Sequence, residues 1–454
     1  MKSLTHVIER AMLPRPKKVD PTTGLISDSD FLVGHQCGHG SSRAQIALSW
    51  RDRRKHIYAL GSSGCGKSNL LVRMVGDDIA RGRNAVVVDL RGDLVDRLIR
   101  RMEPSTVQSG RIHLLDFRPE DRFVPFNPLI GTSNPYRRAL HLLEVIHQGA
   151  HSWGVQIDET LRFSLVALSQ AGGSLLEVES LLTDPSARSA LLRKCSDEQV
   201  KRFFARFDQL SPERQSTWAL PVLNKLSHFW SVPQIRATLQ SRASIDWHDW
   251  IDQPGHVVLI ALAAHRSPGV AQTVGGLIVA SLQDAVMSRA DDEEEQRVPL
   301  TLYIDEFETM ATPTFNTIIA EGRRFGLSLF LAHQNLGQLE NGLRQAIRAS
   351  VQTNFFFQCS SADASDLAND IGSTLPRERL RRILANQPVG TSFLSRRGQA
   401  SVQVATIHSP DPAITKAELA ERAAHLQVGQ LLTSQSVTET QSMEVRHERR
   451  PYLP

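Results

Sequence analysis

The chain has 454 residues, of which 41% are hydrophobic and 22% charged, a composition typical of globular proteins and a length that allows about three domains. Its 52 basic and 48 acidic side chains leave a formal net charge of +4, which is too small to indicate nucleic-acid binding by itself. The four cysteines form no C-x-x-C pair, which argues against a disulfide scaffold or a zinc ribbon and favours a reducing, intracellular setting.

The amino-terminal residues lack the apolar core of a secretory signal, and we see no stretch that approaches the roughly 20 apolar residues needed to span a bilayer. We therefore expect a flexible lead-in over residues 1–30 and a cytoplasmic location. Residues 31–56 follow as a short β-rich segment, because a polar–apolar alternation over residues 44–50 is typical of a half-buried strand.

Short apolar runs alternate with helical spacing over residues 57–132 and again over residues 251–430. Such runs predict buried strands, and their alternation with helices predicts right-handed βαβ units in a mainly parallel sheet. Residues 133–250 show helical patterns with few β-branched runs, which predicts an all-α insertion domain. The polar residues 431–454 predict a disordered tail. The expected fold class is therefore α/β, with one all-α insertion and a small β-rich segment at the amino terminus.

The second α/β part is regular enough to place individual elements. The expected elements are helices over 270–287, 314–324 and 341–350, strands over 300–304, 327–332 and 353–357, and a closing hairpin of 391–394 with 402–406.

Residues 61–68 read GSSGCGKS and fit the pattern G-x-x-x-x-G-K-[ST], with an apolar strand before them and a helical pattern after them. Glycines let backbone N–H groups converge on phosphate oxygens, and the following helix adds its positive end. Lys67 would reach the β- and γ-phosphates of ATP, and Ser68 would place its hydroxyl on Mg²⁺. The bland alternative is a glycine-rich turn that binds no nucleotide. The predicted nucleotide-binding residues are Gly61, Ser62, Ser63, Gly64, Cys65, Gly66, Lys67, Ser68 and Asn69.

A second acidic motif follows a predicted buried strand. The strand over residues 300–304 runs into Asp305 and Glu306. Asp305 would hold the water shell of Mg²⁺, and Glu306 would polarise the attacking water. The adjacent pair favours an ATPase that carries its own base over a signalling GTPase. The alternative is that either residue only caps a helix.

Three more polar residues are candidates for the hydrolytic site. Gln334 follows the next predicted strand, and in a parallel sheet that strand end faces the nucleotide crevice. It would sense the γ-phosphate, or else simply cap the strand. Arg323 and Arg324 end the helix before that strand, and either one would serve as an arginine finger for a neighbouring subunit. A solvated helix terminus is the alternative for both.

Several segments accompany these motifs in order along the chain: VVVDLRGDL (86–94), FNPL (126–129), IDEF (304–307), EGRRFG (321–326) and HQNLGQL (333–339). Together with the phosphate loop and the helical insertion, this set resembles the HerA–FtsK superfamily of P-loop motor ATPases. Within that superfamily it is most similar to the TraG/TraD-type coupling proteins of conjugation, the DNA-feeding ATPases of type IV secretion. The resemblance covers residues 31–410.

The resemblance implies a RecA-like core in a homo-hexameric ring, with ATP and Mg²⁺ between subunits and DNA in the central pore. It gives Asp305 the metal role, Glu306 and Lys67 catalytic roles and Gln334 the sensor role, with Arg323 or Arg324 acting in trans. There are two departures. Leu90 and Arg91 stand where the family often has proline and lysine, which puts a special role there in doubt. The transmembrane helices of anchored coupling proteins are not seen, which suggests a soluble variant.

The leading expectation is an ATP-driven DNA translocase of conjugative transfer, which works with a relaxase or with a membrane-anchored secretion partner that recruits it to the inner membrane face. Three alternatives stay open. The same motor would move protein in a type IV-like system, the chain would be a nucleotide-gated recruitment adaptor, or it would be a HerA-like ATPase of DNA processing or defence.

Overall fold

The computed structural model describes residues 30–37, 44–131, 134–148, 152–264, 268–311, 314–371 and 375–431. The predicted lead-in and the predicted tail lie outside them, apart from residues 30 and 431.

Thirteen strands lie in the described ranges. They are β1 (Phe31–Gln36), β2 (Gln45–Leu48), β3 (Ile57–Leu60), β4 (Asn84–Asp89), β5 (Ile112–Asp116), β6 (Arg122–Phe123), β7 (Val257–Ala261), β8 (Leu300–Asp305), β9 (Leu327–His333), β10 (Thr353–Phe356), β11 (Thr391–Arg396), β12 (Val402–Thr406) and β13 (Gln430–Leu431).

The α-helices of the described ranges are α1 (Trp50–Arg53), α2 (Lys67–Ala80), α3 (Asp93–Arg101), α4 (Pro104–Val107), α5 (Pro135–Gln148), α6 (Val155–Ala171), α7 (Glu177–Thr183), α8 (Pro185–Leu192), α9 (Glu198–Asp208), α10 (Pro212–Trp230), α11 (Pro233–Gln240), α12 (His248–Ile251), α13 (Pro268–Met287), α14 (Thr314–Glu321), α15 (Asn341–Ser350), α16 (Ser361–Asp370), α17 (Arg377–Asn386) and α18 (Lys416–Leu426).

Eleven of the strands form one sheet, in the order β2-β1-β12-β11-β10-β3-β9-β8-β4-β7-β5. Strands β10, β3, β9, β8 and β4 pair in parallel with their neighbours. Their side chains are almost all buried, which explains why they read as continuous apolar runs and not as alternations. The carboxyl ends of β3, β9, β8 and β4 therefore meet at one edge of the sheet.

The other side of β10 is antiparallel. Strands β11 and β12 form the predicted hairpin, and β1 and β2 continue the sheet beyond β12. The amino-terminal β-rich segment is thus part of the main sheet, which its sequence did not indicate. The α/β fold class and the mainly parallel centre are confirmed.

The predicted alternation over residues 44–50 ends early, because Ser49 caps a helix there. Its hydroxyl oxygen accepts the N–H of Asp52 at 3.1 Å, so Trp50 begins α1. Arg53, the last residue of α1, is 2% exposed and donates to Asp77, Asp78 and Tyr303 at 2.7–2.8 Å. A buried guanidinium needs such partners because an unpaired buried charge is very costly. This network fixes α1 against α2 and β8.

The predicted helix over residues 314–324 is also shorter than expected. Helix α14 ends at Glu321, and a 3-10 helix, Gly322–Phe325, follows it. Gly326 then takes a φ of +81°, a left-handed conformation that commonly ends helices and favours glycine. Helix α15 has the predicted bounds, and the predicted strands before and after it agree to within one residue.

The described chain divides into two compact units. The core unit comprises the described residues up to His113 together with Trp250–Leu259 and Arg289–Leu426, and the helical unit comprises the rest. Between Pro135 and Ile251 every α-helix or strand described is a helix. The domain bounds expected from the sequence stay predictions.

The helical unit has its own aromatic core. The Phe203 ring lies 4.8 Å from that of Phe163 and 5.1 Å from that of Phe204. Such offset and edge-to-face pairs add about 0.5–1.5 kcal/mol each beyond the area that they bury. The helical pattern of this region therefore corresponds to a packed core and not to a set of solvated helices.

Helix α13 lies in a segment, Pro268–Ala290, that is long and apolar enough to cross a membrane by length and composition. The sequence was not expected to contain such a segment. However, 83% of its most apolar window is buried inside the protein, as in the core helix of a soluble protein. It is weak evidence for a membrane span.

Candidate nucleotide-hydrolysis site

The phosphate loop, residues 61–68, connects β3 to α2. Gly64 and Gly66 have φ values of +75° and +118°, which only glycine adopts readily. A Cβ on Gly61 would lie 2.6 Å from the Cβ of Phe357, so a side chain does not fit there. Residues 62–64 are exposed. The loop therefore presents backbone to solvent beside a helix amino terminus, which is the arrangement that binds phosphate.

Helix α2 brings the two predicted halves of the site together. The Lys67 ammonium donates to the carbonyl oxygens of Gly61 at 2.5 Å and Ser62 at 3.0 Å. The Ser68 hydroxyl donates to Asp305 Oδ2 at 2.9 Å. Burial raises the pKa of Asp305, while the Ser68 hydrogen bond and the Lys67 charge lower it. A hydroxyl and a carboxylate beside a phosphate loop are hard oxygen ligands of the kind Mg²⁺ prefers, so this pair fits that metal.

Glu306 lies between donors that follow two different strands. Its Oε1 accepts a hydrogen bond from Gln334 Nε2 at 2.8 Å and from Arg91 Nη2 at 3.0 Å. Gln334 follows β9 and Arg91 follows β4, the strands on either side of β8. The structure thus brings together the residues predicted as catalytic acid and phosphate sensor.

Sequence reasoning missed Arg91, which departs from the family pattern. Its position depends on Asp89, the last residue of β4. Asp89 Oδ1 accepts the N–H of Arg91 at 3.0 Å, and Oδ2 accepts the N–H groups of Leu94 at 2.7 Å and Val95 at 3.1 Å. A usable signal was present, because residues just beyond a parallel strand are site candidates for the same reason as Gln334.

Glu308 was not predicted either. It lies in the 3-10 turn Phe307–Thr309 after β8, and its Oε2 is buried without a hydrogen-bond partner among the described residues. Burial raises the pKa of Glu308 to about 7, and the charges of Glu306 and Asp305 add to the rise. A carboxyl with such a pKa holds a proton for part of the time at neutral pH, close to the predicted catalytic acid.

Three predicted residues make no contact with this cluster within the described residues. The Asn69 amide donates to the carbonyl oxygen of Ile407 at 2.9 Å, so its side chain is directed to the end of β12. Arg323 and Arg324 are exposed on the 3-10 helix after α14. Burial and then the positive charge of Arg323 lower the pKa of His56 to about 4, which places Arg323 near the start of β3.

Two family models match the chain. One, described as the type IV secretion-system coupling protein DNA-binding domain, matches residues 41–128. The other, described as the TraM recognition site of TraD and TraG, matches residues 299–409. These two matches confirm the predicted resemblance to TraG/TraD-type coupling proteins. The first matched segment contains the phosphate loop and Arg91, and the second contains Asp305, Glu306 and Gln334.

Solved structures of coupling proteins and of one related protein share the fold. Plasmid coupling protein TrwB in complex with ADP and Mg²⁺ has a TM-score of 0.60 at 16% identity, over 86% of this chain and 97% of that chain. Unbound TrwBdeltaN70 has a TM-score of 0.59 at 17% identity, over 82% and 89%. VirB4 of Thermoanaerobacter pseudethanolicus has a TM-score of 0.56 at 12% identity, over 84% and 97%. These likenesses establish the RecA-like P-loop fold. No curated protein sequence matches the chain.

Proposed function

We propose that this chain is an ATP-hydrolysing DNA translocase, a coupling protein that pumps DNA through an oligomeric ring in conjugative transfer. The observation that carries the proposal is the cluster of Lys67, Ser68, Asp305, Glu306 and Gln334 at the carboxyl edge of four parallel strands. A coupling-protein DNA-binding model matches the segment that holds the phosphate loop, which supports DNA as the cargo.

Each residue of the cluster would have its own role in ATP binding or hydrolysis. Lys67 would bind the β- and γ-phosphates of ATP, and Ser68 and Asp305 would hold Mg²⁺. The metal supplies positive charge to the phosphate oxygens when it is bound. Glu306 would accept a hydrogen bond from the attacking water and orient it. Gln334 donates to Glu306 and would also sense the γ-phosphate. It would thus link the presence of the γ-phosphate to the position of the catalytic acid.

The assembly is proposed as a homo-hexamer. Arg323 and Arg324 are exposed and are thus accessible to the ATP of a neighbouring subunit. DNA contact would be electrostatic and independent of sequence, which needs positive charge in the pore and not over the whole surface. The proposed setting is the cytoplasm, with a relaxase or a membrane-anchored secretion partner bringing the ring to the inner membrane face.

ATPase activity with and without DNA tests the proposal directly. We expect hydrolysis that single- or double-stranded DNA stimulates, with a stimulation that weakens as salt rises. Hydrolysis that no DNA changes would favour a protein-secreting motor. ATP binding with negligible turnover would favour a nucleotide-gated adaptor.

Glu306→Gln separates binding from hydrolysis. The amide keeps the size of the side chain but cannot act as a base, so we expect ATP affinity within about two-fold and hydrolysis reduced at least about 100-fold. Binding of a fluorescent ATP analogue and phosphate release are the measurements. Glu295→Gln, at an exposed position, is the matched control and should behave as wild type. Hydrolysis retained in Glu306→Gln would remove Glu306 from the catalytic role.

Light scattering with ATP, Mg²⁺ and DNA tests the ring. We expect a hexamer, and we expect Arg323→Ala or Arg324→Ala to lower hydrolysis in it. Mixing the affected variant with Glu306→Gln should restore part of the activity, because some interfaces then combine an intact arginine with an intact glutamate. A monomer under all conditions would contradict the trans role of both arginines.

A further inference from the structure

Arg91 stands where the family often has a lysine, and it contacts the predicted catalytic glutamate. We propose that Arg91 is a positioning residue for ATP hydrolysis, whose guanidinium holds the Glu306 carboxylate in its working orientation together with Gln334. The inference rests on the proposed function and adds a specific residue to its site.

The strand order makes this arrangement possible. Strand β8, which carries Glu306 at its end, lies between β9 and β4 in the sheet. Gln334 follows β9 and Arg91 lies two residues beyond β4, so the two donors approach Glu306 from the strands that flank it. Both donate to the same oxygen, Oε1, at 2.8 and 3.0 Å. A carboxylate held by two donors through one oxygen keeps a defined orientation and retains lone pairs for a water molecule.

The backbone of Glu306 adopts a strained conformation, as is common at functional sites. Glu306 has φ 54° and ψ 43°, and within the described residues only one other non-glycine residue, His56, has a positive φ. The left-handed region is unfavourable for a residue with a Cβ, and such strain persists only where neighbouring groups hold the residue. The Glu306 N–H donates to Asp305 Oδ1 at 3.1 Å and its carbonyl oxygen accepts from the Thr309 hydroxyl at 2.8 Å. These bonds hold the backbone, and Arg91 and Gln334 orient the side chain.

Arg91 is itself held by its backbone. Its N–H donates to Asp89 Oδ1 at 3.0 Å, and Asp89 is 5% exposed. The other carboxylate oxygen of Asp89 accepts two N–H groups at the start of α3. The loop that carries Arg91 is therefore anchored to the end of β4 and to α3. The Arg91 side chain thus extends from a backbone whose position is fixed.

Exposure indicates that the pair does not serve stability. The Arg91 side chain is 63% exposed and that of Glu306 is 21% exposed. Solvent screens a pair of this kind, and exposed ion pairs contribute little to folding. If replacing Arg91 lowers kcat, the cause would therefore be a changed orientation of Glu306 and not a loss of folding stability.

The helical unit offers a matched ion pair. Arg206 Nη2 lies 3.1 Å from Glu159 Oε1, with side chains 67% and 36% exposed. Distance, residue types and exposure are close to those of Arg91 and Glu306. Arg206→Ala therefore removes a comparable exposed pair outside the hydrolytic site, together with the contact of its guanidinium with the Phe203 ring at 5.9 Å from the centroid.

The experiment compares wild type, Arg91→Ala, Arg91→Lys and Arg206→Ala in steady-state ATPase assays without DNA. We expect Arg91→Ala to lower kcat about ten-fold or more and to change KM for ATP by less than about two-fold, because the lost interaction orients a catalytic group and does not bind substrate. Arg91→Lys keeps the charge but not the planar fork and should recover part of kcat. Arg206→Ala should match wild type in kcat and KM, and the two Arg91 variants should melt at the wild-type temperature.

A second measurement tests whether Arg91 contacts the nucleotide itself. In the Glu306→Gln background, adding Arg91→Ala should leave the affinity for an ATP analogue unchanged. A loss of affinity there, or a rise in KM with kcat unchanged, would assign Arg91 to substrate binding and overturn the proposal. An Arg91→Ala protein with wild-type kcat would also overturn it. If the wild-type protein hydrolyses no ATP under any condition, that result contradicts both the proposed function and this inference.

Discussion

The two glutamates that follow β8 differ in their surroundings. Glu306 is held by Gln334 and Arg91, whereas Glu308 has a buried Oε2 with no hydrogen-bond partner among the described residues. A buried carboxylate without a partner favours its protonated form, because the neutral acid costs less to desolvate. The carboxylate of Glu306 is thus held by two donors, whereas burial favours the protonated form of Glu308.

Glu308 leads to a prediction for stability. Burial first, with the nearby charges of Glu306 and Asp305, raises its pKa to about 7. A carboxyl whose folded pKa is raised contributes stability that is full below the unfolded pKa and is lost as the pH rises through about 7. We expect Glu308→Gln to raise the free energy of unfolding at pH 8 by about 1 kcal/mol after discounting for partial exposure, and thus to raise the apparent Tm by about 2–4 °C.

Thermal melts at pH 8 and pH 5 check this prediction. At pH 5 the gain should disappear, because Glu308 is then largely protonated in the folded chain. Glu295→Gln, at an exposed position, should give no pH-dependent difference. An equal gain at both pH values would show that the effect does not come from titration of Glu308.

At the scale of elements, the loop between α17 and β11 supports the phosphate loop. The N–H of Gly390 donates to the carbonyl oxygen of Cys65 at 2.9 Å. A Cβ on Gly66 would lie 3.2 Å from the Cα of Gly390, so the two backbones are in close contact. The conformation of the phosphate loop therefore depends on a segment more than 300 residues away in the chain.

Gly390→Ala should weaken nucleotide binding. Gly390 has a φ of +77°, and an alanine there is strained by about 1–2 kcal/mol. Relief of that strain would rotate the N–H away from Cys65 and release the phosphate loop, so we expect Kd for ATP to rise several-fold. Fluorescence titration with an ATP analogue measures the change.

Gly398→Ala is the control for backbone strain. Gly398 has a φ of +78° and lies in the turn between β11 and β12, where a Cβ would meet nothing within 4 Å. The two variants should lose similar stability, but only Gly390→Ala should lose affinity. Equal affinities for the two variants would refute a role of the Gly390 loop in supporting the site.

At the scale of the whole molecule, the core unit contains two buried histidines, and burial favours their neutral forms. His56 and His333 are both fully buried. Burial first, then the charge of Arg323, lowers the pKa of His56 to about 4, and burial, then the charges of Lys67 and Arg344, lowers the pKa of His333 to about 3. Unfolding exposes both rings, so the unfolded chain binds more protons below about pH 6.5.

The core unit should therefore be sensitive to acid. A histidine with a lowered folded pKa contributes stability that is full above the unfolded pKa and is lost as the pH falls below about 6.5. At pH 5 the loss is about 2 kcal/mol for each of the two histidines, partly offset by Glu308, whose titration has the opposite sign. We expect the apparent Tm to fall between pH 7 and pH 5.

His56→Asn tests the origin of this loss. His56 has a φ of 60°, which asparagine tolerates better than most residues, and the amide does not titrate. The variant should lose less stability than wild type between pH 7 and pH 5. His408→Asn, at an exposed position, should lose as much as wild type. A His56→Asn protein with the full wild-type loss would show that other groups cause the acid sensitivity.

Local patterns in the sequence were enough to predict the phosphate loop, Asp305, Glu306 and Gln334. Each of these residues belongs to a short contiguous motif at the end of an apolar run. A run of four to seven consecutive apolar residues predicts a buried strand without knowledge of the tertiary structure. Element ends were less accurate, as at Ser49 and Glu321, because they depend on single caps and turns and not on periodicity.

The sequence by itself determined the α/β class, the strand ends that carry the site and the coupling-protein resemblance, because hydrophobic runs and phosphate-loop glycines act over a few residues. Only the tertiary structure decided the strand order, the joining of β1 and β2 to the main sheet, the pairing of Arg91 with Glu306 across 215 positions and the support of Cys65 by Gly390. These features arise where distant segments meet at one sheet edge, and such contacts leave no periodic trace along the chain.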